Sequence, residues 1–372
     1  SVIVRKLDVL EGNITVTSVG KIEIIDATSA KGTLTLNNER ATSGTDIVIT
    51  DANGDGNATL NSAGAITATA NSGLASAMTL SATMAEDSTI TADAVANQTI
   101  SLSAKNENNE KVVVTLNAST LESLALGGNA PIVVNISGED ISSEVVTNTN
   151  SNAALWLTSG DMDLAQVAAS VQIWLKDQAG KTITAKEGQT FYLDTEYAQT
   201  AGPSTPIIDH VVDATGATSN SLTIKTHDTN TSNNDIVSDI TGLTFVDVQT
   251  LNIDLTSGVE LNSTASLSGV DLTNIVVTGS GNFNMNSNPI LGSSETRATF
   301  NSPNATGNIS LLTSSDVSSI ANIITGSGDD IIKINGVTSD VNGFVIDTRD
   351  GEDTVLVTPA GDGSSAKIKF TG

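Results

Sequence analysis

The chain has 372 residues, 42 Asp and Glu against 16 Lys and Arg, no cysteine, and a net charge of −26. Such a surface repels nucleic acid and anionic lipid, both of which need cationic partners, and it attracts divalent cations. The lack of cysteine excludes disulfide staples, a usage common in secreted bacterial proteins. No apolar run approaches the ~18 residues of a membrane helix, so no transmembrane segment is expected. The opening SVIVRKL, without Met or a signal peptide, reads as a mature or excised fragment of something larger.

Taken in chain order, the first 150 residues contain no aromatic side chain. They carry β-branched runs with period-two alternation: NITVTSV (13–19), KIEIID (21–26), TLTLN (33–37), DIVIT (46–50), KVVVTLN (111–117) and PIVVNIS (131–137). Each predicts a half-buried strand, and turn residues separate them. Between two of these runs, Asp51, Asn53, Asp55 and Gly56 match the start of an EF-hand-like calcium loop. The twelfth position is Ser62 and the flanks are strands, so this is no EF-hand; the readings are a calcium loop of a β-rich protein or an Asx-rich hairpin turn. Asn57, Asn13 and Asn230 also fit acidic glycosylation sequons, which chance explains in a chain so rich in Asn, Ser and Thr.

Residues 151–207 hold Trp156, Trp174, Tyr192 and Tyr197, followed by Pro203 and Pro206. We read this segment as a junction core or small β-rich domain between a solenoid segment at 1–150 and another at 208–372. MDLAQVAASVQIWL (162–175) predicts a helical turn leading into a strand at VQIWL. The two histidines are His210 and His227; DHVVD (209–213), after a proline turn, is expected as an exposed loop. No nucleophile elbow, zinc-protease helix or phosphate loop is present, and no enzyme is expected. The one enzyme class left open is a β-helix polysaccharide lyase, whose catalytic groups come from separate coils.

Internal repeats give the architecture. VDVQTLNI (246–253) and VDLTNIVV (270–277) share Val-Asp-apolar-x-x-apolar-x-apolar at an offset of 24 residues. The apolar spacing recurs as Val19, Ile22, Ile24 and as Leu121, Leu124, Leu126, which places each trio on one interior line. Gly326, Gly328, Asp330 and Ile332, with Asp329 between, fit G-x-G-x-D-x-apolar. Gly351, Asp353 and Val355, next to Asp350, repeat the pattern 23 residues on. Thr325 and Arg349 stand where each copy's first glycine belongs. Weaker copies are Gly44, Asp46, Val48 and Asn233, Asp235, Val237. These signals predict an all-β fold, a parallel β-helix or β-roll solenoid with irregular coils of roughly 23 residues.

The carboxylate spacing has a chemical reading. Ca²⁺ takes roughly six to eight oxygens at about 2.3–2.6 Å. Glycines allow a tight turn that aims carbonyl oxygens inward, Asp supplies charge, and the following apolar residue anchors the strand. The candidate metal ligands are therefore Gly326, Gly328, Asp329, Asp330, Asp350, Gly351 and Asp353, with Asp51, Asn53 and Asp55 as a second group. The plainer reading is that Gly and Asp simply make the turns.

The low-aromatic composition rich in Thr, Ser and Asn, the strand-turn units such as GLTFVDVQTLNI (242–253), and the sparse G-x-G-x-D copies resemble the RTX-type surface-layer proteins of Gram-negative bacteria, of the Caulobacter and Campylobacter type. The resemblance implies an extracellular S-layer subunit that assembles with itself into a two-dimensional lattice with Ca²⁺. It implies type I secretion, and lipopolysaccharide binding through a region outside this fragment. An RTX adhesin is the alternative of the same surface class.

Overall fold

A computed structural model of the chain describes residues 1–5, 13–25, 33–39, 45–49, 57–70, 78–92, 98–118, 121–137, 144–157, 161–175, 181–194, 210–213, 220–227, 236–239, 243–256, 259–263, 268–269, 272–285, 290–291, 298–312, 320–337, 344–359 and 368–371. These form an all-β parallel solenoid of stacked coils. Among the described residues the only helical turn is the 3₁₀ turn Leu164–Gln166, capped by Asp163, whose Oδ1 accepts from the Ala165 N–H at 2.8 Å. It falls where MDLAQ predicted a turn, and the strand Gln172–Leu175 follows it. The chain divides into two compact units, Ser1–Ile173 and Trp174–Gly372.

In the first unit each coil contributes one strand to each of two sheets. One sheet stacks Ile14–Ser18, Leu34–Asn38, Asn57–Ser62, Met78–Met84, Gln98–Ala104, Leu121–Gly128 and Val145–Asn148, every pair parallel. The other stacks Val2–Val4, Ile22–Ile24, Thr45–Ile49, Ala65–Ala70, Ser88–Ala92, Val112–Ala118, Ile132–Ser137 and Ala153–Leu157. Period-two alternation drives this arrangement, because parallel stacking in register puts like beside like in every coil. Inward, Leu34, Ala58, Leu80, Ile100 and Leu124 form one buried column. Aliphatic columns of this kind fill the narrow space between two sheets without aromatics, which explains their absence from residues 1–150.

Outward, the first sheet repeats hydroxyls and amides. Thr15, Thr35, Thr59, Ser81 and Ser101 form one column. Thr17, Asn37, Asn61, Thr83 and Ser103 form the next, two residues along each strand. Asn61 Nδ2 donates to Asn37 Oδ1 at 2.9 Å, and Asn37 Nδ2 to Thr17 Oγ1 at 3.5 Å, so the amides bond along the stacking direction.

The second unit has three strands per coil where the chain runs through Ile236–Asp239, Leu243–Val246 and Thr250–Leu255, then through Val259–Ser263, Ser268–Gly269 and Asn274–Gly279. From Ile309–Leu312 and Ile320–Ile324 onward the described residues contribute two strands per coil. The 24-residue repeat is one coil: Leu251 pairs with Ile275 and Ile253 with Val277, and Val248 and Leu272 are buried beside them. The core here admits aromatics; Phe283 and Phe300 stack at 6.0 Å between ring centroids.

Two expectations need correction. Leu121, Leu124 and Leu126 are all buried, but of the trio at 19–24 only Ile22 and Ile24 are; Val19 is 68% exposed. Val19 lies in the bend after Ile14–Ser18, where the Ser18 hydroxyl accepts the Gly20 N–H at 3.1 Å and turns the chain, leaving Val19 outside. Residues His210–Asp213 are a strand, not a loop; they pair with Lys181–Thr184 and Leu243–Val246. A proline turn upstream does not outweigh the valine pair at 211–212, which the sheet can take up.

The inward columns should dominate stability. Leu102→Ala, at a fully buried position paired with Ala82 and Leu126, should cost about 2–5 kcal/mol. Ser101→Ala, one residue away and facing outward, should stay within about 0.5 kcal/mol. Urea denaturation of both variants checks this; similar losses would contradict the assignment of faces.

Candidate functional site

The site candidates of the second unit lie on a stack of turns that join its sheets. Four turns end in Gly281-Asn282, Gly307-Asn308, Gly328-Asp329 and Gly351-Glu352, each just before or at the start of a strand. The glycines are required by close approach. A Cβ on Gly307 would strike the Gly281 carbonyl oxygen, one on Gly328 the Gly307 carbonyl oxygen, and one on Gly351 the Gly328 carbonyl oxygen. Gly326 is likewise pressed against the carbonyl of Ala305. Arg349, standing where the pattern has glycine, adopts φ 58, a left-handed conformation that non-glycine residues rarely hold.

The side chains after these glycines bridge coils. Asn282 Oδ1 accepts the Asn308 N–H at 3.0 Å, Asn308 Oδ1 the Asp329 N–H at 3.0 Å, and Asp329 Oδ1 the Glu352 N–H at 2.9 Å. The next residue works in the opposite direction. Asp330 Oδ1 accepts the Ile309 N–H of the preceding coil at 2.8 Å, and Asp353 Oδ1 accepts the Asp330 N–H at 2.9 Å. The pair Asp329-Asp330 therefore ties its turn to the coil on either side. Backbone donors that leave the sheet ladder here are satisfied by side-chain oxygens, as buried donors must be.

Asp330 is the unusual member. It is fully buried, whereas Asp329, Asp350 and Gly351 are exposed and Asp353 is half-buried. Its Oδ2 is buried without a hydrogen-bond partner. Burial pushes its carboxyl above the usual carboxylate range. The nearby Thr325 hydroxyl and the Ile309 N–H pull it back down; with that hydroxyl turned to the Thr348 carbonyl oxygen at 3.4 Å, Oδ2 is left without a donor. The neighbouring Asp353 and Asp329 push it up again. A buried anionic oxygen with no donor is costly, and a proton or a cation would relieve it.

These contacts leave few oxygens free for Ca²⁺. Asp329, Asp330 and Asp353 each spend one oxygen on a backbone N–H, and among the described residues no three carboxylates or histidines converge as a metal cluster. The feature that does suit a cation is the orphaned Asp330 Oδ2. Asp51, Asn53 and Asp55 lie outside the described residues, as do Gly44, Asn233 and Asp235. Asp46 and Val48 are on the strand Thr45–Ile49, and Val237 is on Ile236–Asp239.

Sequence reasoning singled out the glycines and aspartates but missed Asn282 and Asn308, which occupy the same column. The signal was available: Gly-Asn at 281–282 and 307–308 precedes a strand just as Gly-Asp does at 328–329. Compared with family models, curated proteins and solved structures, the chain finds no match.

Asp330→Asn keeps an Oδ1 acceptor for the Ile309 N–H and replaces the orphaned oxygen with an uncharged amide. Because the folded-state pKa of Asp330 is raised, the folded wild type binds its proton more tightly than the unfolded chain does. Wild-type stability therefore falls as pH rises from the ordinary carboxylate value through the raised one, and the penalty persists above it. In chelator at neutral pH the Asn variant should melt above wild type, and the gap should close as pH falls through that window. Thermal melts across pH in chelator check this; a variant that is less stable at neutral pH would contradict the orphaned-charge reading.

Proposed function

We propose that the chain is a structural protein of a bacterial surface, an S-layer subunit or its lattice-forming part, which assembles with itself and uses Ca²⁺. The observation that carries this reading is Asp330: a buried carboxylate with an orphaned oxygen, on an edge whose neighbours Asp329, Asp350 and Asp353 add charge to a chain already at −26. Copies of such a chain repel one another at short range, within a screening length of about 8 Å at physiological salt. The 16 cationic residues cannot neutralise 42 anionic ones. Divalent ions bridging carboxylates are the economical way to bring copies edge to edge, and Ca²⁺ accepts irregular oxygen shells where Mg²⁺ demands near-octahedral ones. When bound, Ca²⁺ would supply positive charge beside Asp330, and Asp353 would hold the Asp330 backbone through its N–H. An ion that binds only the folded state also stabilises it, by about 2.7 kcal/mol at a hundredfold excess over Kd.

Millimolar Ca²⁺ should convert soluble protein into ordered sheets, Mg²⁺ at equal ionic strength should do so poorly, and chelator should reverse it. Replacing Asp330 and Asp353 together with Asn should raise the Ca²⁺ needed. Light scattering against ion concentration, with electron microscopy of the product, decides between outcomes. Equal response to both ions would reduce the effect to screening; isolated rods with no response to either would favour an adhesin.

A further inference from the structure

The outward face of the first unit's Ile14–Ala104 sheet carries a regular lattice of hydroxyl and amide groups that the reading above does not use. We propose that this face binds ice. Four successive strand pairs keep register without a shift, from Ile14–Ser18 through Gln98–Ala104. The two outward columns thus form a grid, repeating about 4.8 Å from strand to strand and about 6.7 Å, two residues, along each strand. Side-chain ladders in such a stack hold a sheet flat. Three of the ten positions are the in-register threonines Thr15, Thr35 and Thr59. Branching at Cβ restricts threonine to few χ1 wells, so hydroxyl and methyl keep fixed directions. The amides are fixed too, by the bonds Asn61 to Asn37 and Asn37 to Thr17.

Charge selects the occupant. The chain has 42 acidic and 16 basic residues, yet neither column contains one. A neutral face on an acidic chain complements a neutral partner and not a polyanion, a cationic peptide or a lipid headgroup. Nor does it suit a protein: neither column offers an aromatic, Arg or Met anchor of the kind that carries interface energy. What remains is an uncharged partner that is periodic in two dimensions and both donates and accepts hydrogen bonds at every site. The prism face of ice has that chemistry, with oxygen rows on a rectangular grid of similar size. Each hydroxyl can donate and accept. A rigid grid orders water on the face before ice arrives, so less ordering is left to the moment of contact. The other sheet carries a shorter grid of the same kind, Thr67, Thr89 and Thr115 beside Thr69, Thr91 and Asn117, three strands against five, and its first column ends in Glu23 and Val48 on one side and Trp156 on the other.

The test is thermal hysteresis and ice-crystal shape with the full chain. Wild type should open a gap between melting and freezing and give faceted crystals. Thr35→Lys with Thr59→Lys should lose that gap while keeping the wild-type melting curve of the protein. Thr59→Val, which keeps the methyls and loses one hydroxyl, should narrow the gap and guards against misfolding of the double variant. Thr67→Lys with Thr89→Lys, on the other sheet, should leave the gap unchanged. The proposal is overturned by disc-shaped crystals with no gap in wild type, by equal losses from both lysine pairs, or by retention of the gap in the first pair. Pull-down of wild type by insoluble cellulose or chitin without any gap would assign the face to a neutral polysaccharide and also overturn it.

Discussion

Everything in this protein depends on one constraint: each coil must lie directly on the next, in register, at the spacing of parallel strands. A parallel sheet has no short hairpin to fix its pairing, so register comes from side chains. Here the inward aliphatic columns and the outward hydroxyl and amide columns agree across the five strands from Ile14–Ser18 through Gln98–Ala104. A slip of one residue would exchange the two sets and bury Thr and Asn in place of Leu and Ile. Local alternation and long-range stacking thus favour the same arrangement, which is the condition for one well-defined fold.

The same constraint is hardest to satisfy at the turns. There the backbone leaves the ladder while the coils stay close. Glycine at 307, 328 and 351 removes the side chain that would meet the preceding coil's carbonyl. Asn and Asp then accept the N–H groups that the ladder no longer serves. Carboxylates do this better than amides as acceptors, because charge-assisted bonds are the stronger ones. The cost is a charge, and at Asp330 that charge is buried with one oxygen unserved. A structural device for stacking coils has thereby produced the one carboxylate of the described turns that calls for a proton or a cation.

Much of this was legible in the sequence. The strands, the coil length and the interior trios at 248–253 and 272–277 follow from periodicity, because β-solenoids repeat locally what they do globally. The 3₁₀ turn at 164–166 was equally visible. Val19 was misplaced because an apolar pattern does not say where a bend throws its first residue. The strand at 210–213 was missed because a proline upstream was weighed above two valines. At the turns, the spacing of glycine and aspartate was read as metal chemistry, while its stacking role needs three dimensions: nothing in a linear pattern tells that Asp330 reaches back to Ile309 and Asp329 forward to Glu352. The columns of outward hydroxyls were likewise invisible until registers fixed which threonine stands beside which.

The central claim is that side-chain oxygens at the turns take over the backbone donors and lock coil to coil. Hydrogen exchange measured residue by residue on the intact chain tests it most directly. The amides of Ile309, at the first residue of its strand, and of Asp330 and Glu352, just outside theirs, which donate to Asp330, Asp353 and Asp329, should exchange as slowly as the strand amides of Ile332 and Ile334. Exchange of those three at the rate of free turns, with the strands still protected, would contradict it.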